Sequence, residues 1–163
     1  MHFDSMGKLP LGDHKMTLQQ IRQSILVHGT GRYPFNSQWR MYLVDQLEIL
    51  VRHLWEAKIE EIYVDGSFVT NKPEPGDIDG YYVADAREIA SGSIYDRLNQ
   101  IAKSDVWDIR KREPDEEGII KPLMWHKHRV ELYPHTDDPP QFPESTFSHN
   151  FFVKRELELE KVL

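Results

Sequence analysis

Val64-Asp65-Gly66-Ser67-Phe68-Val69-Thr70 and, after Asn71-Lys72-Pro73-Glu74, Pro75-Gly76-Asp77-Ile78-Asp79 form the stretch on which the reading turns. Ile62-Tyr63-Val64 is a short run of strand-favouring residues that stops at Asp65-Gly66-Ser67. The run from Asp77 to Val83 alternates and predicts a second strand, able to pair with the first. Side chains two apart on a strand point the same way, so Asp77 and Asp79 share a face with Cα atoms roughly 6–7 Å apart. Two ionised carboxylates that close repel unless a cation lies between them, and oxygen ligands of this kind suit Mg²⁺ or Mn²⁺. At Gly66-Ser67 glycine permits a tight turn, while the hydroxyl and exposed amides can hydrogen-bond a phosphate. A Gly-Ser pair alone is an ordinary turn and an Asp-x-Asp pair alone is ordinary surface; the order of the two carries the signal.

Outward from this stretch, Leu43, Leu47, Leu50 and Leu54 recur at helical spacing, which predicts a helix capped by Asn36 or Ser37 and ending near Ala57. Thr17 and Gln20 have capping-box spacing ahead of a shorter helix carrying Ile21, Ile25 and Leu26. His28-Gly29-Thr30-Gly31 and Pro34 break that helix. Downstream, Asp85 with Glu88 offers a cap, and Ile94, Leu98 and Ile101 keep helical spacing to about Lys103. The segment His128-Arg129-Val130-Glu131-Leu132-Tyr133 alternates as a half-buried strand, with Pro134 expected to end it. The whole reads as α+β, one domain over residues 1–163, with a surface arm over 1–16, a Pro-rich loop over 134–150 and a terminal helix over 151–163.

The composition narrows the function classes. With 20 Lys and Arg against 27 Asp and Glu, the net charge of -7 opposes indiscriminate nucleic-acid binding through bulk electrostatics. The basic run Arg110-Lys111-Arg112 is followed at once by Glu113, Asp115, Glu116 and Glu117 and reads as a solvated loop. No stretch reaches the roughly 18–20 apolar residues of a membrane span, and the start lacks a signal pattern. The absence of cysteine excludes disulfides and thiolate chemistry and fits the cytoplasm. Gly29 and Gly31 lack the third glycine and preceding strand of a dinucleotide fingerprint. His126, His128 and His135 bracket the third strand, where polar strand and loop residues are a better reading than a zinc site.

The segments 64–70 and 75–79 together resemble the signature of polymerase-beta-like nucleotidyltransferases, especially small bacterial and phage members. The Leu9–His14 start resembles an uncharacterised branch of small nucleotidyltransferase-like proteins. The resemblance implies a small mixed β-sheet flanked by helices, with Asp77 and Asp79 bridging two metal ions and Gly66 and Ser67 holding nucleotide phosphates. It also implies a third acid on a later strand, best matched by Glu131, with Asp105 and Asp108 as competitors. Thr70 and Lys72 would add phosphate contacts, Lys72 reading equally well as a loop lysine. Tyr81 and Tyr82 read as packing residues.

The implied activity is transfer of a nucleoside monophosphate from an NTP, ATP foremost, to a hydroxyl on protein, RNA or a small molecule, in a toxin–antitoxin or phage-defence setting. The implied partners are the nucleotide, a protein or RNA acceptor, and a homo- or hetero-oligomer. An alternative is a catalytically inactive module of the same fold acting through a partner protein. A metal-dependent nuclease or phosphatase would use clustered carboxylates but leaves the Gly-Ser turn unexplained.

Overall fold

The repeat Leu43, Leu47, Leu50 and Leu54 becomes the buried face of a 20-residue helix, all four side chains fully buried. The computed structural model of the protein describes residues 1–10, 14–136 and 151–154. In chain order come β1 (His14–Thr17), α1 (Leu18–Gln23), α2 (Ile25–His28), β2 (Gly29–Thr30), β3 (Tyr33–Pro34) and α3 (Ser37–Glu56). There follow β4 (Ile62–Asp65), a 3₁₀ turn (Gly66–Val69), β5 (Ile78–Val83), α4 (Ala86–Ser91) and α5 (Ser93–Ala102). The rest comprises β6 (Arg112–Pro114), β7 (Ile120–Pro122), α6 (Leu123–His128), β8 (Val130–His135) and β9 (Phe151–Lys154).

Capping behaves as the side chains dictate. Thr17 and Gln20 close a reciprocal capping box on α1, and Asn36 accepts the Trp39 amide at the start of α3. Asp85 caps α4 by accepting the amides of Arg87 and Glu88. The main sheet is mixed, with strand order β1-β9-β4-β5-β8; β4 and β5 are antiparallel, while β5 and β8 are parallel. Helices flank it, so the architecture is α+β. One sheet face, carrying Ile62, Val64, Ile78, Tyr82, Val130 and Leu132, packs into the apolar core with α3, Tyr95 and Trp107. Among the described residues no helix is long and apolar enough to cross a membrane.

Four expectations need correction. The 1–16 segment is not merely a surface arm: Leu9 is fully buried, Lys8 bridges Thr70, and His14–Thr17 forms an edge strand. Pro134 does not end the third strand, because β8 is an edge of the sheet and a ring nitrogen without a proton is tolerated there. His128 belongs to α6, and Arg129 closes that helix in a left-handed conformation before β8 begins. Phe151–Lys154 is a strand between β1 and β4 rather than the start of a helix, its run Phe-Phe-Val having high strand propensity. The rest of the expected terminal helix and most of the Pro-rich loop lie outside the described residues.

The loop between β4 and β5 is held from inside. Arg40 on α3 is fully buried, has no carboxylate partner among the described residues, and donates to the carbonyls of Leu26, Phe68, Thr70 and Lys72. Its guanidinium lies 4.0 Å from the Phe35 ring centroid and 5.1 Å from that of Phe68. Burial lowers its pKa to about 10, which leaves it charged at neutral pH.

Arg40→Leu strands several carbonyls without a donor and should cost on the order of 3 kcal/mol or more, read by urea unfolding; a loss under about 1 kcal/mol would show the clamp to be dispensable. His128 supplies a second test. Burial first, then the charges of Lys127 and His53, depress its pKa to about 4, while its Nδ1 meets Gln46 Oε1 at 2.8 Å. Below about 6.5 the unfolded chain takes a proton that folded His128 refuses, so stability should fall as pH drops from about 6.5 towards 4. His128→Gln should lose less melting temperature between pH 7 and pH 5 than the unmodified protein; an equal loss would refute the assignment.

Candidate metal and phosphate site

Strand register gathers the acids. Asp65 lies opposite Asp79 across β4 and β5, and Asp79 lies opposite Glu131 across β5 and β8. Register partners share a face, so the three form a row across the sheet on the side turned away from the core. Asp77, one residue before β5, points the same way as Asp79. Ligand oxygens of Asp77, Asp79 and Glu131 all lie within 4.8 Å of one another. The two predicted acids and the predicted third acid therefore meet. The competing acids do not join them: Asp105 pairs with Lys111 at 2.6 Å and Asp108 with Arg110 at 2.8 Å. Those two pairs also neutralise most of the basic run, as expected of a solvated loop.

Residues the sequence did not single out complete the setting. Lys121, on β7, donates to Glu131 Oε1 at 2.7 Å and lies 3.6 Å from Asp77 Oδ2. Tyr133 donates to the other Glu131 oxygen at 2.7 Å, and Trp125 Nε1 donates to Asp77 Oδ2 at 2.9 Å. Burial disfavours the Lys121 ammonium, but its bond to Glu131 and the charges of Glu131, Asp77 and Asp79 outweigh that and raise its pKa. Asp79 has no hydrogen-bond donor among the described residues. Burial, then the charges of Asp77, Glu131 and Asp65, push it up to about 7 against the opposing pull of Lys121. Burial likewise raises Asp65. Three clustered carboxylates with one ammonium, one of them lacking any donor, suit a hard divalent cation.

Gly66 has φ +70, and a Cβ there would lie 2.5 Å from Asp79 Oδ2, so only glycine lets the turn approach the acid this closely. Ser67 follows, half-buried. Thr70 turns inward: its hydroxyl donates to Ser67 O at 2.7 Å and accepts from the Lys72 amide at 3.3 Å, which closes the turn. The Lys72 side chain is exposed. Tyr82 is fully buried and meets Trp107 edge-on, whereas Tyr81 stacks on Tyr63 with centroids 4.8 Å apart. The histidines are dispersed: His126 bonds Glu113 O, His128 bonds Gln46, and His135 packs on Tyr81.

Fold and site thus define an α+β domain with an all-oxygen acidic centre beside a Gly-Ser turn. The chain belongs to the family of unknown function DUF6932, whose model matches residues 1–161. No curated protein and no solved structure matches it.

The Asp79 shift predicts a trade between stability and binding. The unfolded chain ionises this group from about pH 4 and the folded metal-free protein near 7, so its charge costs stability that is absent near pH 4 and greatest above 7. Asp79→Asn should raise metal-free stability at pH 8 by roughly 1 kcal/mol, with a smaller gain at pH 5, while abolishing stabilisation by Mn²⁺. No gain at pH 8 would mean that the carboxylates are not in conflict.

Proposed function

We propose that the protein is a metal-dependent nucleotidyltransferase of the polymerase-beta-like kind. It transfers a nucleoside monophosphate from an NTP, ATP foremost, to a hydroxyl on RNA, protein or a small molecule. The supporting observation is the meeting of Asp77, Asp79 and Glu131 within 4.8 Å, with the Gly66 turn against Asp79. Asp77, Asp79 and Glu131 would hold Mg²⁺ or Mn²⁺, which offsets the charge of the triphosphate and of the departing pyrophosphate.

The chain's own groups do the positioning. The Ser67 hydroxyl and the exposed backbone at Gly66 bind phosphate oxygens. Lys121, charged and held on a hairpin strand, turns from Glu131 towards an incoming phosphate and supplies an additional cation. Glu131, freed of that bond, accepts the proton of the attacking hydroxyl. Thr70 keeps the turn in shape. A toxin–antitoxin or phage-defence setting belongs to this proposal through the resemblance of residues 64–79, and so does a cytoplasmic location.

One observation favours the inactive-module alternative: Lys121 reaches both Glu131 and Asp77 and already answers part of the acidic charge. Incubation with each α-labelled NTP and Mg²⁺ or Mn²⁺, with RNA or lysate protein as acceptor, separates the two. Transfer of label that falls to background in Asp77→Ala/Asp79→Ala is the expected result. Metal-dependent nucleotide binding without transfer would select the inactive module, and neither binding nor transfer would overturn both readings.

A further inference from the structure

The first two turns of α3 and the residue that closes α6 line a wide-mouthed surface cavity of about 510 Å³, formed by Asn36, Gln38, Trp39, Tyr42 and Arg129. Trp39 and Tyr42, three apart on one helix face, stack with centroids 5.4 Å apart and planes at 21°. Tyr42 is 42% exposed, so the pair presents aromatic surface to solvent. The Asn36 carbonyl oxygen is spent on capping α3, which leaves its amide nitrogen, with that of Gln38, to meet a ligand.

Arg129 supplies charge. Its guanidinium lies 4.0 Å from the Trp125 ring centroid, and among the described residues it makes no ion pair and no side-chain hydrogen bond. In a chain where acids outnumber bases 27 to 20, a cation left without an acidic partner is a directed feature. The cavity borders the acidic centre through two links. Trp125, under Arg129, donates to Asp77, and Trp39 Nε1 donates to Pro75 O at 2.6 Å, two residues before Asp77. The Gly66-Ser67 turn instead abuts Asp79.

An aromatic face, amide groups and an unopposed guanidinium within one cavity match a base together with its phosphate. Donor phosphates already have the Gly66-Ser67 turn, so a cation on Trp125, the ring that holds Asp77 from the other side, calls for a second phosphate-bearing group. We propose that this cavity is the acceptor subsite and receives one nucleotide unit carrying its own phosphate, either a free nucleoside monophosphate or the terminal nucleotide of single-stranded RNA. The inference rests on the transferase reading for the word acceptor, and on the cavity alone for nucleotide binding.

The test is fluorescence anisotropy of a fluorescein-labelled single-stranded tetraribonucleotide, without NTP or metal, in competition with AMP, UMP and inorganic phosphate. Tyr42→Ala and Arg129→Asn should each weaken binding by roughly tenfold. Asparagine tolerates the left-handed backbone at position 129, and circular dichroism checks that both variants fold. Lys58→Asn, which removes one charge from a similar left-handed position elsewhere, should leave binding unchanged.

Competition by AMP or UMP as strong as that of unlabelled oligonucleotide identifies the free mononucleotide as ligand; weak competition identifies the RNA end. Both results support the cavity. Equal competition by inorganic phosphate, equal loss in Lys58→Asn, or unchanged binding in both cavity variants overturns it. Transfer that survives such an overturning spares the transferase reading, whereas Arg129-dependent binding without any transfer sinks that reading and leaves a nucleotide-binding cavity.

Discussion

A buried guanidinium bonded to backbone carbonyls holds the site in shape. Arg40 donates to four carbonyls, one at the α2 helix and three along the loop between β4 and β5, and lies against two phenylalanine rings. Burying a charge is costly unless hydrogen bonds satisfy it, and here carbonyls take up Nη1 and Nη2 without adding a second charge, while Nε has no partner among the described residues. The loop's polar groups face inward onto Arg40, so Phe68 and Val69 are buried and the turn at Gly66 is pressed against Asp79. From the other side, Lys8 and Gly7 pair with Thr70 and Asn71, which ties the amino-terminal segment to the same loop. The Gly66-Ser67 turn is therefore a fixed part of the scaffold, held by groups outside the acidic cluster.

Against this rigidity stands a deliberate electrostatic conflict. Strand register places Asp65, Asp79 and Glu131 side by side, and Asp77 beside them, an arrangement no sheet needs for its own stability. Lys121 and Tyr133 satisfy both Glu131 oxygens and Trp125 satisfies Asp77, which leaves the strain concentrated on Asp79. Burial, then the charges of Asp77, Glu131 and Asp65, drive that carboxyl upward to about 7, and among the described residues no donor offsets them. Natural proteins keep such conflicts where function requires them, and the remainder of the core supports them.

Local chemistry made much of this legible. The Asn36 cap and leucine repeat of α3, the capping box at Thr17, the two strands around Gly66-Ser67 and the Asp-Ile-Asp pair all depend on spacing within a few residues. Glu131 was legible only through resemblance, because its partnership with Asp79 is set by a parallel pairing some fifty residues distant. Lys121 was not legible. It lies on a three-residue strand in the 107–121 stretch, which lacks strong periodicity, and its place among the acids follows from where the hairpin folds. Arg40 sits among helical residues where a cation normally means solvent exposure, so nothing local signals its burial. Phe151–Lys154 was read as helix because glutamates downstream suggested one, while the decisive fact, an open position between β1 and β4, is a property of the sheet.

Trp125 shows how the acidic centre is joined to its surroundings. Its indole nitrogen donates to Asp77, Arg129 lies 4.0 Å from its ring centroid, and Lys121 lies 5.4 Å from the same centroid. One ring thus orients an acid and carries two cations at the border of the cluster. The cations do not cancel the acids, since among the described residues only Lys121 pairs with them. They make a gradient, negative at the middle and positive along the Trp125 side. An anionic ligand approaching the bare acidic cluster would be repelled, whereas one approaching along the Trp125 side meets Arg129 and Lys121 first. In a chain of net charge -7, it is the placement of these two cations, rather than any excess of them, that sets positive charge on the Trp125 side of the acids.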